Sequence, residues 1–223
     1  QKIEDLQSGK YYLEIRSGEK KFFENILVEA DKTIDVFIKS GGINLLSNVS
    51  GEVYLNGKRF GYVEAEKELE LSQLGSEIYK VEVKSADGFV FTKNAEVRTG
   101  EKTSVNIQAC EVSVIVNNPG IFFINVKKMG TISETQIFML PIGDYKTIFM
   151  LGKQKKEENF TLEEGSSKVF EYKSAKVSVK SKIKGKVYVD NEYWEPIENS
   201  DFHTLSYPLL SEKKYLIKVK DGK

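Results

Sequence analysis

Leu140-Pro141-Ile142-Gly143-Asp144-Tyr145-Lys146-Thr147-Ile148-Phe149 sets a glycine turn directly ahead of an extended run that opens with a tyrosine. The construction recurs at Leu6-Gln7-Ser8-Gly9-Lys10-Tyr11, from Leu74 to Tyr79 and from Leu209 to Tyr215. The leading tyrosines stand at 11, 79, 145 and 215, in steps of 68, 66 and 70 residues. Spacing of this kind marks internal duplication and sets the unit of the fold at about 68 residues.

Other markers keep the same step. A glycine opens a short apolar run ending in Asn or Asp at Gly51-Glu52-Val53-Tyr54-Leu55-Asn56, Gly120-Ile121-Phe122-Phe123-Ile124-Asn125 and Gly185-Lys186-Val187-Tyr188-Val189-Asp190. Each leads into a turn, most plainly Asn56-Gly57, where both residue types tolerate positive φ. A short alternating strand precedes each glycine, at Ile43 to Leu46, Val112 to Val116 and Val177 to Val179. A closing hairpin follows the tyrosine runs at Asn25 to Thr33, Glu96 to Lys102 and Phe160 to Ser166. Runs rich in Val, Ile, Phe, Tyr and Thr, broken by turn signals every ~8–12 residues, predict small antiparallel β-sandwiches. Glu64 to Ser72 is the one stretch read as a single helical turn, and the class is all-β. The phase divides the chain into 1–40, the back half of a module; 41–109 and 110–173, whole modules; and 174–223, the front part of another. Such a division suits an excerpt from a longer array, or a chain whose leading half completes its trailing part by strand exchange.

Together these motifs resemble the PEGA family of small β-sandwich repeats. Asn118-Pro119-Gly120, Ser50-Gly51 and Lys184-Gly185 match its small-residue turn. Val53-Tyr54-Leu55-Asn56-Gly57 and Val187-Tyr188-Val189-Asp190 match its strand and hairpin, and Gly9-Lys10-Tyr11 and Gly143-Asp144-Tyr145 its tyrosine strand. The resemblance implies transthyretin- or immunoglobulin-like modules serving as spacers or adhesion units of surface or envelope proteins, with no catalytic residues to carry over. Extracytoplasmic or cell-surface placement is the expectation; a cytoplasmic scaffold is the alternative.

Lys and Arg together equal Asp and Glu at 33 each, so no global field draws in nucleic acid, and none is expected as a partner. Abundant Lys and Glu suit a thermophile. The single cysteine, Cys110, rules out an intrachain disulfide and reads as a buried structural thiol. No apolar run reaches the ~20 residues of a membrane span, so direct insertion is not expected. Gln1-Lys2-Ile3-Glu4 has no basic-then-apolar leader pattern.

Chemistry-bearing motifs are sparse. His203 is the sole histidine, and Asp201-Phe202-His203-Thr204 reads as a loop. Neither a Gly-x-Ser-x-Gly elbow nor a phosphate loop occurs. Glu163-Glu164-Gly165 and Ser85-Ala86-Asp87-Gly88 read as turns, lacking calcium-loop spacing. No catalytic residue, metal or cofactor is expected, and no enzyme. Three groups could bind partners. Lys176, Lys180, Lys182, Lys184 and Lys186 alternate and would share one face of a continuous strand, a stripe suited to an anionic polymer. Trp194 beside Tyr193, in a hairpin loop, could stack on a sugar ring. Ile121, Phe122 and Phe123, with Ile137, Phe138 and Met139, make strands apolar on both faces, as a module interface would. The leading functional expectation is a non-enzymatic spacer and protein-interaction array, partnered by its own modules or other proteins. A carbohydrate- or anionic-polymer-binding module is the alternative.

Overall fold

The computed structural model describes residues 3, 5–18, 20–37, 39–198, 200–206, 208–211 and 213–221, with backbone only for 200–202. Gln1, Lys2 and Glu4 of the leader reading lie outside them. Among the described residues every regular element is a β-strand. Two compact units divide the chain, residues 1–109 and 110–223.

The first unit begins with an antiparallel hairpin, β1 (Gly9–Ser17) and β2 (Lys20–Val28). Seven strands follow: β3 (Gly41–Ser47), β4 (Gly51–Leu55), β5 (Lys58–Val63), β6 (Leu69–Leu74), β7 (Ile78–Lys84), β8 (Val90–Glu96) and β9 (Lys102–Ile107). They form one sheet of order β6-β3-β9, in which β3 and β9 run parallel, and one antiparallel sheet of order β5-β4-β7-β8. The expected helical turn at Glu64 to Ser72 is absent. Its second half is β6, where Leu71 is fully buried between exposed Glu70 and Ser72, a period of two rather than 3.6.

In the second unit, β10 (Cys110–Val116), β11 (Gly120–Ile124), β12 (Lys127–Ile132), β13 (Gln136–Leu140), β14 (Gly143–Leu151), β15 (Gln154–Leu162) and β16 (Ser167–Tyr172) repeat that plan strand for strand. The sheets are β13-β10-β16, with β10 and β16 parallel, and β12-β11-β14-β15. Aromatic rings fill the space between them: Phe149 stacks on Tyr172 at 4.4 Å and Phe122 on Phe138 at 5.6 Å. Burial pushes the Tyr172 phenol up to about 12. The remaining strands are β17 (Ser174–Ala175), β18 (Ser178–Ser181), β19 (Gly185–Val189), β20 (Glu192–Ile197), β21 (Ser200–Thr204), β22 (Leu209–Leu210) and β23 (Ile217–Asp221). They pair as β17-β22, β18-β21 and β20-β19-β23. Asp201 to Thr204 is therefore strand, not loop: β21 pairs with β18, and the Ser178 and Thr204 hydroxyls meet across it at 2.8 Å.

The glycine, Asn/Asp and tyrosine markers occupy matching places, but the expected closing hairpins do not form. β8 and β9 lie in different sheets, as do β15 and β16, so those turns carry the chain from one sheet to the other. Among the described residues no strand stands between β2 and β3. Gly51, Gly120 and Gly185 each open the strand that pairs with the tyrosine strand, and a Cβ there would fall 2.5 Å from Lys84 O, 2.8 Å from Met150 O and 2.1 Å from Lys220 O. Close approach of two backbones is what requires glycine. Asn56, Asn125 and Asp190 begin the following turns at φ 49°, 45° and 52°, each with a second residue at positive φ: Gly57, Val126 and Asn191. Their side-chain oxygens accept from the amides of Lys80 (2.8 Å), Lys146 (2.8 Å) and Leu216 (3.0 Å). Their own amides donate to the carbonyls of the same three residues. Each of those residues directly follows a leading tyrosine. The tyrosine hydroxyls close the corner behind them: Tyr11 donates to Gln7 O, Tyr145 to Pro141 O and Tyr215 to Leu210 O, while Tyr79 accepts from Gly75 N. This is the tyrosine-corner arrangement of β-sandwiches.

Val126, 86% exposed, holds φ 62° with a β-branched side chain, a conformation costing ~1–2 kcal/mol. Val126→Gly is therefore expected to raise the melting midpoint, with a gain of ~1 kcal/mol by denaturant titration. Gly120→Ala, which drives a methyl into the Phe149 ring and Met150 carbonyl, is expected to cost ~1–3 kcal/mol in the same assay.

Candidate binding surfaces

Trp194 lies in β20, not in a loop. It is the extra residue of a β-bulge between Val187 and Tyr188, and its side chain turns inward where Phe60, at the equivalent bulge, is 47% exposed. The indole is 7% exposed within the core formed by Val187, Val189, Ile197, Leu205 and Leu209, and its Nε1 has no hydrogen-bond partner among the described residues. A platform for stacking a sugar must be open, and this ring is not. Tyr193, 46% exposed, keeps an open face. The Lys153 ammonium donates to the Tyr193 and Trp194 carbonyls at 2.8 and 3.3 Å and sits 5.5 and 5.6 Å from their rings.

The five-lysine stripe is broken. All five side chains are exposed, but Lys176 precedes β18, Lys180 lies within it, Lys182 and Lys184 fall in the connection, and Lys186 belongs to β19 of another sheet. The chain changes sheets through buried Ser181, whose hydroxyl donates to Ile183 O and accepts from Ile183 N. Ser47 does the same with Val49 at the corresponding crossing. A sheet change ends the period of two, so the lysines share no face. Lys184 pairs instead with Glu198 at 2.9 Å.

The doubly apolar strands resolve into two faces. Phe122 and Phe138 point into the core, and so are not interface residues. Ile121, Phe123 and Met139 are half-buried on the outer faces, and Ile137 is 54% exposed. Ile121 and Phe123 stand opposite Met150 and Ile148, which makes the outer face of the four-stranded sheet apolar at its centre.

His203 pairs with Glu195 at 3.0 Å, and the Ser206 amide donates to the same carboxylate at 3.0 Å. Burial alone would raise the Glu195 carboxyl, but the Ser206 hydroxyl and amide and the His203 ring outweigh it and hold it below 4.5. These groups tie β20 to the segment after β21, with the Ser206 hydroxyl donating to the Glu195 carboxylate. Cys110 is buried, its thiol donating to Glu163 O at 3.1 Å. No group of three or more His, Cys, Asp or Glu among the described residues could hold a metal ion, and no helix among them is long and apolar enough to cross a membrane.

Two sets of contacts had no sequence signal. Asn48 brackets Ala109, accepting from its amide at 2.7 Å and donating to its carbonyl at 3.1 Å, and Asn117 brackets Ser174 at 2.9 and 2.7 Å. Between neighbouring strand groups, Ser76 N donates to Lys21 O at 2.8 Å and Lys20 Nζ to Gln73 O at 2.8 Å. In the second unit Gln154 similarly bonds Pro208 O and Leu210 N at 3.2 and 3.1 Å, and Tyr215 donates to its carbonyl oxygen. In both cases the start of a hairpin's second strand meets the loop of the next tyrosine corner.

No protein-family model matches the chain, and no curated protein matches it. Among solved structures it is similar to BcpA, the major pilin subunit of Bacillus cereus, at 11% identity and TM-score 0.24, over 61% of this chain and 59% of that one. It is also similar to the Bacillus anthracis TIE protein, at 13% identity and TM-score 0.25, over 96% and 56%. A third is SGBP-B of a Bacteroides ovatus mixed-linkage glucan utilization locus, in complex with a mixed-linkage heptasaccharide, at 12% identity and TM-score 0.15, over 97% and 75%. The chain thus spans less than two thirds of the first two.

Trp194→Ala is expected to destabilise the last strand group by ~3–5 kcal/mol, measured by denaturant titration, as a core truncation does. Trp194→Phe, which removes the buried unpaired N–H, is expected to cost much less. Glu195 gives a pH signature. Its folded value is depressed, so its contribution is present above 4.5 and is lost as pH falls through that lower value. Wild type is expected to melt above Glu195→Gln at neutral pH, with the gap closing in acid.

Proposed function

We propose that the chain is a run of duplicated, non-enzymatic β-modules of PEGA-like type that holds distance and presents interaction surfaces in a surface or envelope protein. The observation that carries this reading is the repeated junction: Lys20 and Lys21 against the loop ahead of Tyr79, and Gln154 against the loop ahead of Tyr215. A junction made twice at corresponding places, by lysines in one case and a glutamine in the other, is what a quasi-linear array uses to fix the angle between neighbours. The Asn48 and Asn117 brackets favour it as well, since the same contact is made twice, each time closing a strand group on its own last residues. Strand exchange between chains fits this topology less well. β1 follows the leading-tyrosine corner at Tyr11 and β23 follows that at Tyr215, so the first hairpin would bring the last strand group a strand it already has. A glycan- or anionic-polymer-binding role is a second reading, favoured not by Trp194 or a continuous lysine stripe but by Lys186, Lys218 and Lys220 beside Tyr188 and Tyr193.

Protease shaving of intact cells, followed with an antibody raised against this chain, tests the compartment. Loss of the signal with cytosolic markers intact is expected. Protection until lysis would sink the surface assignment and favour a cytoplasmic scaffold.

A further inference from the structure

The outer face of the β19/β23 pair is basic. Lys186 and Tyr188 alternate outward from β19, and Lys218 and Lys220 outward from β23, with Lys186 directly opposite Lys220 and Tyr188 opposite Lys218. Like charges placed directly across a ladder repel. Lysines are common guards of an edge strand, which explains Lys218 and Lys220, but Lys186 is on the central strand of its sheet. None of the three has a carboxylate partner among the described residues: Lys218 donates to the Asn191 amide oxygen at 2.9 Å, and the Lys220 ammonium lies 4.6 Å from the Tyr188 ring. The same positions elsewhere are answered differently. Glu52 and Tyr54 face Lys84 and Glu82, with Arg59 and Lys80 paired to the glutamates, while Ile121 and Phe123 face Met150 and Ile148. The fold therefore does not require lysines there.

We propose that this face binds an acidic polysaccharide, which gives the second reading above its site. The positive charges repeat about 6.8 Å along a strand and about 5 Å across the pair, so they suit a linear chain of anionic groups rather than one point anion. Beside them Tyr188 and Tyr193 stand edge to face at 5.9 Å, half-exposed ring surface on which the apolar side of a pyranose can lie. Lys153, 5.5 Å from the Tyr193 ring, extends the positive charge past the aromatic pair. Ligand carboxylates would relieve the Lys186–Lys220 repulsion, and rings would cover the tyrosines.

The test is titration calorimetry of the 223-residue chain with polygalacturonate, against neutral dextran, polyphosphate and duplex DNA. Expected are binding to polygalacturonate that weakens as salt is raised, none to dextran, and a fall of about tenfold in affinity for Lys186→Gln/Lys220→Gln. That double variant is expected to melt no lower than wild type, because it removes repulsion; a purely structural pair would melt lower. Tyr193→Ser should lower affinity for polygalacturonate. Equal or tighter binding of polyphosphate or DNA overturns the proposal by showing that charge alone acts. Polygalacturonate binding untouched by the double variant overturns this site while leaving the second reading standing; no binding at all ends both.

Discussion

One two-way hydrogen bond sets the geometry of every strand group that contains it. At Asn56 the backbone amide reaches the Lys80 carbonyl while the side-chain oxygen takes the Lys80 amide. Asn125 and Asp190 do the same with Lys146 and Leu216. A reverse turn is thereby tied to the entry of a strand some twenty residues on. At the far end of the same pairing, Gly51, Gly120 and Gly185 allow the backbones to touch. Fixing both ends leaves a single register, and since a slip of one residue would turn every side chain to the opposite face, the register decides what is core.

Because the clamps are built from backbone groups and turn side chains, they place no demand on the outward residues of the strands. The same outward positions carry charge pairs at Glu52/Lys84, apolar side chains at Ile121/Met150 and opposed lysines at Lys186/Lys220. The outer faces are thus free to vary while the fold is held by the turns and the core.

The tyrosines, the glycines and the Asn/Asp turns were legible because each serves a backbone purpose that few residue types can meet. Burial within strands was less legible. Phe122 and Phe123 look alike in sequence, and only the register tells that the first is core and the second is not. Trp194 is core although it sits at a bulge where an extra residue breaks the period of two, and Phe60 at the equivalent bulge is exposed, so residue type and position do not tell the two apart. The lysine stripe assumed one unbroken strand; the turn at Ser181 that breaks it is built from a serine hydroxyl and its own neighbours' backbone, which spells nothing distinctive. The Asn48 and Asn117 brackets stayed hidden for a related reason: they hold the main-chain amides and carbonyls of Ala109 and Ser174, which any residue type supplies.

The first hairpin shows how far stability is shared between neighbours. Tyr79, Val81 and Val83 of β7 are buried, yet Tyr11, Leu13 and Ile15, on the matching face of β1, are only half-buried. An isolated two-stranded hairpin is marginal in water. What steadies this one is docking: Lys20 and Lys21 bond to Gln73 and Ser76, and the Phe23 amide reaches the Thr99 hydroxyl. Gly75 permits it, for a Cβ there would sit 2.6 Å from Lys21 O. A residue that looks like one more loop glycine thus sets how closely one strand group can approach the next, and the order of the hairpin follows from a neighbour's backbone rather than from its own core.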